Sequence, residues 1–310
     1  MPAPMPKPFP PQPTQGPLIF DRRLLRARHR RAVAAGPETF LLDRAADDLA
    51  ERLSAVLRRF DLVLDIGTPG DALRAELAGV PTVGRIIAAR ATLPEKEAPT
   101  FVVADEEALP FAPAAFDLVV SALSLQFVND LPGTLVQIRR VLKPDGLFVA
   151  ALAGGATLSE LRESFAIAES EIDGGVSPRV APFADVRDLG ALLQRAGFAL
   201  PVTDVDRITV RYGTVFALMH DLRRMGATNA LIDRRRVPLR RATLFRMAEI
   251  YAERFADPDG HLRATFEIVW LAGWAPHPSQ QQPLKPGSAR ARLADALGTR
   301  EISTGEKAGE

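Results

Sequence analysis

At 310 residues the chain is long enough for one large domain with added elements or for two modest ones. With 47% hydrophobic residues, 25% charged residues and a net charge of +1, its composition is that of an ordinary soluble globular protein, so nucleic acid is not an expected partner. The absence of cysteine excludes disulfides, thiolate metal sites and a cysteine nucleophile, and no charge-free apolar run approaches the roughly 18–20 residues of a membrane span or the core of a secretion signal.

The first 18 residues, MPAPMPKPFPPQPTQGPL, carry proline at almost every second position and read as a disordered tail. In the segment that follows, residues 19–60 are expected to form N-terminal helices. Arg22, Arg23, Arg26, Arg28, Arg30 and Arg31 crowd the first of them, which ends near Gly36. They read either as a solvated face or as a docking face for an acidic partner or an anionic lipid surface, so peripheral membrane contact through Arg22–Arg31 stays open. Leu49, Leu53, Val56, Leu57 and Phe60 then recur at three- and four-residue steps, the mark of an amphipathic helix.

From residue 61 short apolar runs alternate with helical segments. Strands are expected at 61–66, 81–86, 101–104, 116–123 and 146–152, with helices at 71–78 and 131–142 between them. That alternation argues for a parallel sheet with helices on both faces. Residues 156–172 and 184–197 read as helices, 201–212 as a strand, 214–256 as a helical insertion and 265–274 as a last strand. Residues 276–310 return to proline, glutamine and charge and read as a weakly ordered tail.

The stretch LVLDIGTPGDAL, residues 62–73, has the form with which many α/β proteins open a cofactor site: an apolar strand, glycines that let backbone approach a ligand, then a helix. Taken in order, LDIG, ADEEALPF, FDLVVSALSLQFVND and RRVLKPDGLFVAAL resemble the successive motifs of the class I S-adenosylmethionine-dependent methyltransferases of the type 11 branch. Further along, GGATLSELRES, AESEIDGGVSPRVAPF, DVRDLGALLQRAGF and GWAPHPSQQQPLKPGSA are similar to a narrower group, the methyltransferase-like assembly factors of respiratory complex I found in mitochondria and in related bacteria. The likeness runs from about Ile19 to Ala289.

The resemblance implies a doubly wound, mostly parallel seven-stranded sheet over 61–275, with an N-terminal helical extension and a helical cap at 214–256 before the last strand. It implies S-adenosylmethionine as cofactor and a protein substrate, an arginine of a complex I subunit, with hydroxylation as the chemistry assigned to mitochondrial members. The expected setting is the bacterial cytoplasm or, alternatively, the mitochondrial matrix. A descendant that keeps the fold as a non-catalytic assembly or chaperone protein is the competing expectation.

Carried onto this sequence, the cofactor would meet Asp65, Gly67 and Gly70 after the first strand. Asp105 and Glu106 would lie at its adenine, and Ser121 and Leu123 at the methyl-donor wall. Gln126, Phe127, Asn129 and Asp130 begin the loop facing substrate. Two departures weaken the cofactor expectation. Pro69 and Asp71 stand where the family loop has glycine, with Asp71 more plausible as a helix N-cap than as a ligand. The second strand, where relatives end in a ribose-binding acid, is expected to offer Gly84 and Arg85 instead. No catalytic residue is assigned. His29, His220, His261 and His277 are scattered without metal-ligand spacing, so no metal site is expected.

Overall fold

The computed structural model describes residues 18–92, 100–281 and 298–300. The proline-rich start and most of the C-terminal stretch, on which two tails were expected, lie outside the described residues. Met1–Pro276 makes one unit, and the chain from His277 onward is a separate one.

Two helices precede the sheet. Asp21 caps α1 (Arg22–Ala34), its carboxylate accepting from the Leu24 amide at 2.9 Å. The amphipathic α2 (Phe40–Ser54) buries Leu42, Ala45, Ala46, Leu49 and Leu53, and ends six residues before the expected Phe60, which begins β1 (Phe60–Ile66). A tight loop joins β1 to α3 (Ala72–Ala78), after which come β2 (Val83–Arg90), β3 (Phe101–Val103) and β4 (Phe116–Ala122). The chain continues through α4 (Leu131–Val141), β5 (Leu142–Ala153), α5 (Ser159–Asp173), α6 (Val186–Arg195) and β6 (Ala199–Tyr212). Then α7 (Val215–Arg224) and α8 (Arg241–Phe255) form the insertion before β7 (Leu262–Trp274).

The seven strands lie in the order β3-β2-β1-β4-β5-β7-β6; the first five pair in parallel and β7 runs antiparallel to both of its neighbours. This is the sheet of a class I methyltransferase. β1 and β4 are buried almost throughout, as a central parallel strand requires, whereas the edge strand β6 alternates half-buried and exposed residues. One face is covered by α2 and α3, through Leu49, Leu53, Leu73 and Leu77 against Val63, Val120 and Trp270. The other is covered by α4 and α6, through Leu135, Ile138, Leu189 and Leu193 against Leu64, Val119 and Phe148. A third apolar cluster joins α5, α7 and α8 to Phe266 and Ala264. In it Met247, Ile250 and Tyr251 are fully covered, Leu222 is buried, and Met225 and Leu244 pack at its edge. Among the described residues no helix is long and apolar enough to cross a membrane.

Strand order reverses between β1 and β4, so the carboxyl ends of those two strands frame the crevice where such folds bind ligands. The second strand differs from its expected bounds. It pairs with β1 from Phe60↔Val83 to Ile66↔Ala89 and then with β3 through Arg90↔Val103. Gly84 and Arg85 therefore sit at the start of β2, at the far end of the sheet from the crevice, and the residue that ends the strand is Arg90. Gly84 looks like a strand breaker in sequence but is needed where it is: a Cβ there would lie 2.5 Å from the Asp61 carbonyl oxygen.

Candidate functional site at the carboxyl edge of the sheet

The loop after β1 turns on two glycines in the left-handed region, Gly67 at φ 71° and Gly70 at φ 63°. A Cβ on Gly67 would overlap Ser124 Oγ and come within 2.9 Å of Glu106 Oε1, so this backbone is pressed against the loops after β4 and β3. Asp65 is completely buried and its carboxylate accepts from Arg74 Nη1 at 2.9 Å. Burial pushes the Asp65 carboxyl up, and the Thr68 hydroxyl, Arg74 and Arg90 offset that only in part. Asp71 occupies the N-cap position of α3 without making a capping hydrogen bond; its carboxylate pairs with Arg74 instead.

Arg90, at the end of β2, donates to the Gly70 carbonyl at 3.0 Å and lies 5.2 Å from the centre of the Phe101 ring. Burial, and then the neighbouring charge of Arg74, lower its pKa. Ser121, expected in the methyl-donor wall, is buried and donates its hydroxyl to the Ile66 carbonyl at 2.7 Å, a bond that ties β4 to β1. Leu123 stands at φ 50° and lines an apolar chamber at this edge.

The acidic loop after β3 is not solvated. Arg22 Nη1 lies 2.8 Å from Asp105 and 3.0 Å from Glu107, its Nη2 bonds Glu106, and Arg26 bonds Asp105 from one turn further along α1. Burial alone would raise the Asp105 carboxyl, but the Glu107 amide, Arg22 and Arg26 outweigh it and hold it below its ordinary value. Two residues of the dense basic run thus find their acidic partner within the chain, while Arg23, Arg30 and Arg31 face solvent. The strap before α1 is fastened as well. Asn129 Oδ1 accepts from the Ile19 and Phe20 amides at 2.8 and 2.7 Å, Phe20 forms a β-bridge with Leu231, and the Asp21 amide donates to the Ala230 carbonyl. Asp130 is spent capping α4 through the Gly133 amide.

Under this cover lies the chamber, about 370 Å³ in volume, reaching from Pro69, Gly70 and Leu123 to α5, α7 and the segment 225–231. Phe20 and His29 pack edge-on against Phe127 in its wall. Burial pushes the His29 imidazole down to about 4. Because the unfolded chain takes a proton near pH 6.5 that the folded chain refuses, stability is full above 6.5 and falls as pH drops toward 4, by up to roughly 3 kcal/mol. Urea unfolding at pH 7 and pH 5 should show this slope, and His29→Phe should remove its share of it. Among the described residues no three His, Cys, Asp or Glu side chains gather as a metal site would need.

A family model described as a methyltransferase domain matches residues 70–150. Across a far longer span, the chain is 42% identical over 301 residues to the mouse protein named arginine-hydroxylase NDUFAF5, mitochondrial, covering 93% of this chain and 87% of the relative. The chain belongs to the arginine-hydroxylase NDUFAF5 family. It is also 36% identical over 287 residues to the malonyl-[acyl-carrier protein] O-methyltransferase of Laribacter hongkongensis, covering 86% of this chain and 94% of that one. Among solved structures, the YcgJ protein of Bacillus subtilis aligns with a TM-score of 0.50 at 17% identity, over 76% of this chain and 99% of that one.

For this NDUFAF5-family chain the methyltransferase fold implies S-adenosylmethionine, and its edge fits that group unevenly. The Gly67–Gly70 loop gives the close backbone approach a ligand needs. The ribose side does not fit: two hydroxyls seeking an acceptor would meet the guanidinium of Arg90, which has none to give, beside that of Arg74. Arg22, Arg26, Arg74 and Arg90 are the site residues that the sequence reading missed.

Proposed function

We propose that this chain acts on an arginine of a protein substrate during assembly of respiratory complex I, and that the acidic loop is where the guanidinium is held. The observation that carries this reading is Arg22: three consecutive carboxylates, Asp105, Glu106 and Glu107, converge on its single guanidinium beside the Gly67 loop. Such a cluster of carboxylates around one guanidinium is what recognition of an arginine side chain demands. Arg22 is then an internal stand-in that a substrate arginine displaces, with the N-terminal helices of 19–60 and the 214–256 cap dressing the methyltransferase-like domain of 61–275. The name of the mouse relative, an arginine hydroxylase, supports the same substrate group, and its mitochondrial location supports the mitochondrial matrix as the setting. S-adenosylmethionine remains the cofactor that the fold supports, and it would be held weakly because β2 ends in the donor Arg90 where a ribose would need an acceptor.

That same arginine favours a second reading, a protein that assists assembly without turnover. The two are separated by mass spectrometry of complex I subunits from cells carrying the wild type, no copy, or Glu106→Gln with Glu107→Gln. The expected result is one modified arginine that requires the chain and is lost in the double variant. The mass gained tells a methyl group from an oxygen atom. Assembly lost in the deletion with every arginine unmodified in the wild type would overturn the enzyme reading, and assembly and arginines unaffected by deletion would overturn both.

A further inference from the structure

The chamber itself is built for something other than a guanidinium. We propose that it binds an acyl-chain amphiphile, an aliphatic tail with an anionic head, as a ligand separate from the arginine held by the acidic loop. Its walls are aliphatic and aromatic side chains from every surrounding element, among them Leu42, Leu158, Leu161, Phe165, Met219 and Phe266. A cavity of about 370 Å³ with such a lining falls in the range that small ligands fill.

Most polar groups at its wall are spent. Glu38 is held by Arg224 at 3.1 Å, and Arg224 Nε donates to the Gly36 carbonyl. Arg179 is paired with Glu169, Asn229 bonds the Pro178 carbonyl and the Leu231 amide, and burial keeps His29 neutral at ordinary pH. Among the described residues Glu38 is the one acid in the lining, and it is already neutralised, which leaves a cationic side chain no counter-charge. Two uncommitted polar groups of the described lining bear on the ligand. Gln126 Oε1 is buried without a hydrogen-bond partner, next to Phe127 and Pro69 at the sheet edge. Arg223, in the last turn of α7, is exposed at the wall and makes no ion pair or hydrogen bond among the described residues.

An apolar interior with a cation of this kind at its rim is complementary to a fatty carboxylate. A polypeptide is the poorer occupant. The strap at Ile19–Asp21, bonded on one side to Asn129 and on the other to Ala230 and Leu231, closes the side by which a folded chain would enter. A slender tail needs no such opening.

The test is calorimetry on the full chain with decanoate, decylamine and decanol, each below its micelle concentration. Decanoate should bind saturably at one site, decanol more weakly and decylamine least. Arg223→Glu, a substitution at an exposed side chain, should weaken decanoate about tenfold and favour decylamine, as reversal of one partly exposed charge pair requires. Ala181→Trp, which fills the chamber, should abolish binding of all three, with a thermal melt to confirm folding. No saturable decanoate binding by the wild type, or binding that Arg223→Glu leaves unchanged, would overturn the proposal whatever becomes of Ala181→Trp. Because the acidic loop is untouched in both variants, the fate of the arginine reading is measured independently.

Discussion

Replacing Arg90 by aspartate should raise the affinity for S-adenosylmethionine about 100-fold, and the wild type should give no calorimetric signal at micromolar cofactor. The crevice between β1 and β4 keeps its glycine loop and its buried Asp65, and the strand that carries the ribose anchor in this fold ends in a guanidinium. A carboxylate at that place accepts from both ribose hydroxyls. Hydrogen bonds to a charged acceptor contribute roughly 1.5–3 kcal/mol each, and two of them at the low end correspond to about two decades of affinity. The substitution also removes a cation whose charge opposes that of Arg74, and it leaves Arg74 facing Asp65, Asp71 and the new acid together. What is lost is a contact with Phe101 and a bond to the Gly70 carbonyl, about 1 kcal/mol of stability. Arg85→Asp is the control. It lies at the opposite end of β2, paired beside Leu62, and should change nothing. Tight binding by the wild type would show instead that Arg90 swings clear of the ribose and that the edge holds the cofactor without an acid on β2.

The contrast between those two arginines shows which parts of the fold the sequence carries openly. β1 and β4 were legible because a strand buried on both faces must be mostly apolar, and the Asp65–Gly67–Gly70 turn was legible because glycine takes left-handed backbone angles most readily. The end of β2 was not. Gly84 has the look of a breaker, and AAR has no property that says strand; what extends the element to Arg90 is its pairing with β1 on one side and β3 on the other, both remote in sequence. The clasp on the acidic loop was hidden for a similar reason. Arg22 and Glu106 are 84 residues apart, and each belongs to a charge cluster that taken alone reads as solvated. A pairing of that kind becomes visible only when the strap before α1 is seen to cross Asn129 and Leu231. Charge clusters of opposite sign in one chain are therefore a prompt to ask whether they meet before an external partner is assigned to either.

Arg179→Ala should cost about 3–5 kcal/mol, more than any surface ion pair in the molecule is worth, and lower the melting temperature by on the order of 10 °C. Glu169 on α5 has no exposed side-chain area, and its carboxylate is met by Arg179, by the Ser177 amide at 2.7 Å and by the Ser177 hydroxyl at 2.9 Å. Burial alone would raise this carboxyl, but the Ser177 amide, Arg179 and the Ser177 hydroxyl outweigh it and hold it below the usual glutamate range. Taking away the guanidinium leaves a buried charge with only neutral donors, and the carboxyl then rises. The sign of the pH dependence follows. In the wild type this group's contribution is present above the unfolded value near 4.5 and is lost as pH falls through the lower folded value. In Arg179→Ala that acid limb should move to higher pH. Glu169→Gln, which keeps an acceptor for Ser177 and removes the charge, should cost less than Arg179→Ala and flatten the limb; melts from pH 7 to 3 compare the three chains. A full cost in Arg179→Ala with its acid limb unmoved would mean that packing of the Arg179 guanidinium over the Phe165 ring, rather than the buried charge, holds this segment. The stake is larger than one ion pair, because the stretch it secures contributes Arg179, Val180 and Ala181 to the chamber wall. A chain that has lost the pair should therefore bind decanoate more weakly even where it remains folded, since a wall that moves no longer presents the tail with a fixed apolar surface.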